Sequence, residues 1–138
     1  MKKGQGAQTN PHNRFAAHKH EVDNEYLDYL VAEGEEMKAK LKIINVTPKS
    51  IVNEVKSPDV PMEWSLNPYQ GCEHGCTYCY ARNSHEYWGY SAGVDFERTI
   101  LVKKNAPLLL DQTLRRRSWK ASPIALSGNT DCYQPIER

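Results

Sequence analysis

The chain has 138 residues, 39% of them hydrophobic, and sets 18 Lys and Arg against 17 Asp and Glu for a net charge of +1. That balance excludes the broad basic footprint of a general nucleic-acid binder, and no apolar run approaches the roughly 18 residues a membrane span needs. A mean hydropathy of −0.73 leaves room for one small, lean domain.

Residues 1–20 hold Lys2, Lys3, Arg14 and Lys19 with no acid, among Gly, Gln, Asn and Pro. That composition predicts a disordered, mobile basic arm. Its few charges would hold a phosphate backbone only weakly at physiological salt, and His12, His18 and His20 read as solvated tail residues. The opening Met1-Lys2-Lys3-Gly4-Gln5-Gly6 lacks the apolar core of a secretory signal.

Residues 21–61 read as a helical and extended N-terminal extension. From Glu21 to Lys42 acids come first and Lys38, Lys40 and Lys42 last, an order that suits a helix dipole. Tyr26, Tyr29, Leu30 and Met37 give rough helical spacing, interrupted by Gly34, so one outer helix or two short ones are predicted. Ile43, Ile44 and Val46, then Ile51, Val52 and Val55, predict extended chain broken at Pro48. Pro58 and Pro61 make the next stretch a loop.

Glu63 to Asn67 predicts a short strand, and Thr77 to Tyr87 a helix with Cys79 in its first turn, ended by Gly89 to Gly93. Glu97 to Lys103 predicts a strand. Asn105 is expected to cap a helix from Ala106 to about Arg117, with Pro107 near its start. The Arg115-Arg116-Arg117 run then compensates the dipole at an exposed helix end, a simpler reading than a nucleic-acid patch. Pro123 to Ser127 predicts a buried strand, parallel by the logic of a β-α-β crossover.

Three of the four cysteines, Cys72, Cys76 and Cys79, fall in one short loop beside Gly71 and Gly75. A disulfide between two of them would strand the third, whereas three thiolates from one loop suit a metal centre, at little closure entropy. A structural zinc wants four ligands, which His74 or Cys132 would have to complete. An iron–sulfur cube held by three cysteines keeps one iron open. Cys132, far along the chain, reads better as a small buried thiol. Clustered unpaired cysteines point to a reducing compartment, by default the cytoplasm.

The loop's words carry a resemblance. Cys72-x3-Cys76-x2-Cys79 has Tyr78 before its last cysteine, Asn67-Pro68-Tyr69-Gln70-Gly71 ahead of it and Tyr80-Ala81-Arg82 behind. Gly128-Asn129-Thr130-Asp131 and Tyr133-Gln134-Pro135-Ile136-Glu137 follow near the end. Together they resemble the radical S-adenosylmethionine (radical SAM) family, in the group related to spore photoproduct lyase, over roughly Ser50 to Arg138.

The resemblance implies an α/β fold in which residues 62–138 are the first part of a partial (β/α)6 barrel. The Glu63–Asn67 strand would be its first stave, with the site beyond the strand's carboxyl end. A barrel of that kind takes about 200 residues. The chain is therefore expected to be an N-terminal fragment, truncated after the second barrel strand and inactive alone. Cys72, Cys76 and Cys79 would ligate three irons of a [4Fe–4S] cluster, and the fourth iron would take the amino and carboxylate groups of S-adenosylmethionine. Tyr78 would pack near cluster and adenine, or else be ordinary core. Asn129, Thr130 and Asp131 stand where many members carry a Gly-Gly-Glu-type cofactor motif, from which this sequence departs. An electron donor such as flavodoxin or ferredoxin is implied. A role like DNA-lesion repair enters by resemblance alone, since nothing here reads bases, and the substrate stays open.

Overall fold

A computed structural model describes residues 6–16 and 40–137. The helix expected from Glu21 lies outside the described residues except at its last positions, as do Lys2, Lys3, His18, Lys19 and His20.

The stretches predicted to be extended form strands: β1 (Lys42–Val46), β2 (Val52–Glu54) and β3 (Trp64–Leu66). Further along come β4 (Tyr69–Gln70), β5 (Thr99–Lys103) and β6 (Ile124–Leu126). They make two three-stranded sheets, β1-β5-β4 and β2-β3-β6. In the first, β1 runs parallel to β5 with Ile44 opposite Leu101, and β4 runs antiparallel to β5. In the second, β2 is antiparallel to β3, and β6 is parallel to β3 with Ser65 opposite Ala125. Staves of one barrel would lie side by side; here β3 and β6 are neighbours while β5 belongs to the other sheet.

Three helical segments connect these strands: a 3₁₀-helix (Tyr80–Trp88), α1 (Val94–Arg98) and α2 (Ala106–Leu114). The first begins later than the sequence predicted. Thr77 and Tyr78 are spent on a turn closed by the Cys79 N–H on the Cys76 carbonyl at 3.3 Å, so Cys79 flanks the helix in extended geometry. Gly89 ends it at φ 82°, a left-handed conformation that glycine takes without penalty.

The predicted strand from Glu97 starts only at Thr99. Phe96 and Glu97 are both buried, and a strand would send neighbours to opposite faces. The helical turn α1 sets them about 100° apart, so both point inward. α2 stops at Leu114, short of the arginine run, and Arg115 folds back on Asp111 at 2.8 Å. Asn105 does not cap it with its side chain, whose amide instead donates to the Pro48 carbonyl at 3.0 Å. β6 is parallel as expected but only half-buried, with Leu126 59% exposed where it lines a cavity beside Leu66 and Ala106.

Two small cores result. Ile51, Leu66 and Ala106 pack with Leu109, Leu110 and Ile124 between the second sheet and α2. Cys72, Ala81 and Phe96 pack with Cys79 beneath the cysteine loop. Residues 6–16, expected in a mobile arm, lie against this second region. Polar side chains dock them there, where composition alone counts only missing apolar ones.

Candidate metal centre

β3 and β4 deliver the chain to the cysteine loop. Between them Asn67 is buried: its side-chain oxygen accepts from the Asn129 N–H, and its carbonyl from Lys103 Nζ, both at 2.7 Å. Burial lowers the Lys103 ammonium below the ordinary lysine range. Gly71 then turns at φ 81°, where a Cβ would sit 2.7 Å from the Thr99 carbonyl and 3.0 Å from that of Phe96. No other residue fits. The Cys72 N–H donates to the Phe96 carbonyl at 2.9 Å, and Gly75 makes the second left-handed turn at φ 64°.

The loop is clamped from inside by Arg82. Its guanidinium donates to the carbonyls of Gly75 and Cys76, each at 2.9 Å, and to those of Ala92 and Gly93 at 3.3 and 3.2 Å. Its charge is answered by the Glu97 carboxylate at 2.6 Å, which is wholly buried. Arg82 also lies over the Phe96 ring. Sequence reading gave Arg82 no role. The signal available was an acid, Glu97, standing two residues before β5.

From outside, the segment after β6 closes over the same loop. The Thr130 hydroxyl donates to the Gly71 carbonyl at 2.7 Å. Gln134, 2% exposed, accepts from the Glu73 N–H at 3.1 Å and donates to Thr130 Oγ1 and the Asp131 carbonyl. Asp131 Oδ2 lies 3.6 Å from His74 Nδ1, and the Tyr80 hydroxyl donates to the Gly128 carbonyl. Of the predicted residues, Thr130 holds the loop backbone at Gly71 and Asp131 lies beside His74, whereas Asn129 is itself held, through its N–H, by the Asn67 side chain just ahead of the loop.

Among the cysteines, Cys72 is buried, Cys79 half-buried and Cys76 exposed, and all four are free thiols. His74 Nδ1 lies 3.5 Å from Cys72 Sγ. Among the described residues no group of three or more His, Cys, Asp or Glu stands assembled for a metal ion. What the loop offers is a soft donor set, three thiols on a backbone fixed at both turns. Tyr78 is 87% exposed, which removes its alternative as ordinary core. Cys132 is half-buried rather than buried and lines an apolar cavity of about 400 Å³ with Leu66, Ala106, Leu110 and Leu126.

Under the loop, His85 is fully buried and edge-on to Phe96, with no well-formed hydrogen bond at either ring nitrogen among the described residues and the Asp95 backbone as a weak partner. Burial lowers its pKa to about 4, against partial opposition from Asp95. It is therefore neutral at physiological pH.

No family model and no solved structure matches the chain. An uncharacterised protein of Mycobacterium tuberculosis (strain ATCC 25618 / H37Rv) is 42% identical over 90 residues, covering 64% of this chain and 26% of that protein. An uncharacterised protein of Mycobacterium bovis gives the same figures. An uncharacterised protein of Methanocaldococcus jannaschii is 30% identical over 102 residues, 74% of this chain and 36% of that protein. The chain spans about a quarter to a third of the length of these curated relatives.

Proposed function

We propose that Cys72, Cys76 and Cys79 hold three irons of a [4Fe–4S] cluster in a radical SAM protein. The observation that carries the reading is a loop of three free thiols, and not four, whose backbone is fixed by Arg82 within and by Thr130 and Gln134 without. When bound, such a cluster supplies an electron that splits the sulfonium of S-adenosylmethionine homolytically, giving methionine and a 5′-deoxyadenosyl radical. The chain's own residues bind, orient and exclude water. Asn129, Thr130 and Asp131, in the polar segment that reaches the loop, would serve the cofactor's amino and carboxylate groups. Tyr78, exposed one residue before Cys79, is available to an adenine ring.

In the whole protein these strands would begin a partial (β/α)6 barrel, with an electron donor such as flavodoxin or ferredoxin. Free thiols fit a reducing, cytoplasmic setting, and among the described residues no helix is long and apolar enough to cross a membrane. A DNA-lesion substrate rests on resemblance alone.

A second reading has one observation of its own. With His74 Nδ1 3.5 Å from Cys72 Sγ, the three cysteines and His74 would make a structural zinc site. Anaerobic reconstitution with iron and sulfide, followed by EPR of the reduced sample, separates the two. A cubane signal that changes shape on adding S-adenosylmethionine is the expected result. A signal indifferent to it favours a closed cluster or a chain without the rest of the cofactor pocket, and one tightly held zinc per chain with no iron uptake establishes the zinc site.

A further inference from the structure

Arg82 and Glu97 are tied into more than each other. Glu97 Oε1, which accepts from Arg82 at 2.6 Å, also accepts the backbone N–H groups of Gly6 and Ala7 at 3.1 and 2.6 Å. The chain from Gly6 onward then follows α1 and the 3₁₀-helix. Asn10 and Asp95 bond reciprocally: the Asn10 amide donates to Asp95 Oδ1 at 2.6 Å, and the Asp95 N–H donates to Asn10 Oδ1 at 2.9 Å. Ser91 donates to the Pro11 carbonyl at 2.7 Å, and buried Asn13 donates to the carbonyls of Glu86 and Tyr90. Arg14 pairs with Glu86 at 2.7 Å, and Phe15 stacks on Tyr87.

We propose that residues 6–16 are a strap that, through Glu97 and Arg82, positions the cysteine loop. It rests on the metal-centre reading for its purpose and not for its geometry. A lone guanidinium could satisfy the carbonyls of Gly75 and Cys76 in several rotamers. The buried carboxylate of Glu97 fixes the guanidinium plane, and two strap N–H groups fix the carboxylate. The order Gly6/Ala7, Glu97, Arg82, Gly75/Cys76 is continuous in hydrogen bonds. Gly6 lies against the Gly75 carbonyl and Thr77, so the strap also touches the loop directly. Glu97, Arg82, Asn10 and Asn13 are positioning residues; none is offered as a metal ligand.

The test begins on the full-length metal-free chain, so that its outcome does not depend on any cluster. Backbone hydrogen exchange is followed in peptides covering residues 71–82, with residues 122–127 as internal control. Asn10→Ala releases the exposed middle of the strap and leaves the buried pair alone; Glu97→Gln removes the buried charge. Both are expected to speed exchange across 71–82 several-fold and leave the control unchanged. If Glu97→Gln fails to fold, the Asn10→Ala and Asn13→Ala pair decides. Unchanged exchange in that folded pair overturns the proposal.

A second arm uses the chain reconstituted with iron and sulfide. Glu97→Gln leaves the Arg82 cation unneutralised near the loop, so the midpoint potential is expected to rise. Arg82→Lys, which offers one point charge for a fork of donors, is expected to lower iron content without rescuing the loop's exchange protection. Iron content and potential equal to the parent chain in both variants would overturn the positioning role while leaving the metal-centre reading intact.

Discussion

Gln134 accepts the Glu73 N–H at 3.1 Å from a position 61 residues further along the chain. The same side chain donates to Thr130 and to the Asp131 carbonyl, so one amide sutures the segment after β6 into the cysteine loop. At 2% exposure it has little water to fall back on. Gln134→Ala removes the partner of the half-buried Glu73 N–H, at a cost of about 1 kcal/mol or more. Urea unfolding should show the loss, and iron uptake should fall with it. Gln134→Glu keeps the acceptor and loses the donor, so it should recover only part of the stability.

Gly71 and Gly89 share nearly the same φ, 81° and 82°, but not the same surroundings. Around Gly89 a Cβ meets nothing within 4 Å, whereas at Gly71 it meets two backbone carbonyls that cannot step aside. Gly89→Ala should therefore cost only the left-handed penalty, about 1–2 kcal/mol. Gly71→Ala should cost clearly more and lower iron uptake. Equal destabilisation in the two variants would contradict the close approach at Gly71.

His85 predicts an acid-sensitive fold. Its folded pKa, about 4, lies below the ordinary 6.5, so the unfolded chain takes up a proton that the folded chain refuses. The stability from keeping this ring neutral is complete above pH 6.5 and drains away as pH falls towards about 4. The slope is at most about 1.4 kcal/mol per pH unit, and the total on the order of 3 kcal/mol. His85→Phe keeps the ring against Phe96 and removes the titration. Denaturant midpoints measured from pH 7 to 4 should flatten in that variant, and a persistent slope would place the acid sensitivity elsewhere.

Cys132→Ser should leave iron uptake and the response to S-adenosylmethionine unchanged, because that thiol lines the apolar cavity with Leu66 and Leu110. Loss of the cluster would make Cys132 a fourth ligand and close the open iron. Cys72→Ser, Cys76→Ser and Cys79→Ser should each abolish a stable cluster, as read by iron content and visible absorption.

Much of the secondary structure was legible because β-branched runs betray strands. Ile43, Ile44 and Val46 lie in β1, and Ile100, Leu101 and Val102 in β5. The cysteine loop was legible by its spacing. The strap was not: Asn10, Pro11 and Asn13 read as solvated tail, and only tertiary hydrogen bonds to Asp95, Ser91 and Glu86 give them a place. The division into two sheets was equally hidden, since pairing β5 with β1 rather than with β3 is a long-range choice that no local pattern encodes. α1 was missed because two adjacent inward residues, one of them charged, carry no period.

The tethers of the cysteine loop arrive from both directions of the sequence, Ala7 lying 90 positions from Glu97 and Gln134 61 positions from Glu73. During synthesis the loop therefore leaves the ribosome long before its fasteners are complete. At about 5–20 residues per second, Gln134 follows Glu73 by several seconds. Through the later part of that interval Arg82, Glu97 and the strap can hold the loop from within while Gln134 is still missing from the outside, so the three thiols stand half-fastened, open to oxidation or to the wrong ion. A metal delivered early would meet a slack loop, and one delivered late a closed frame. The interval between translation and fastening is thus part of how this centre would be filled.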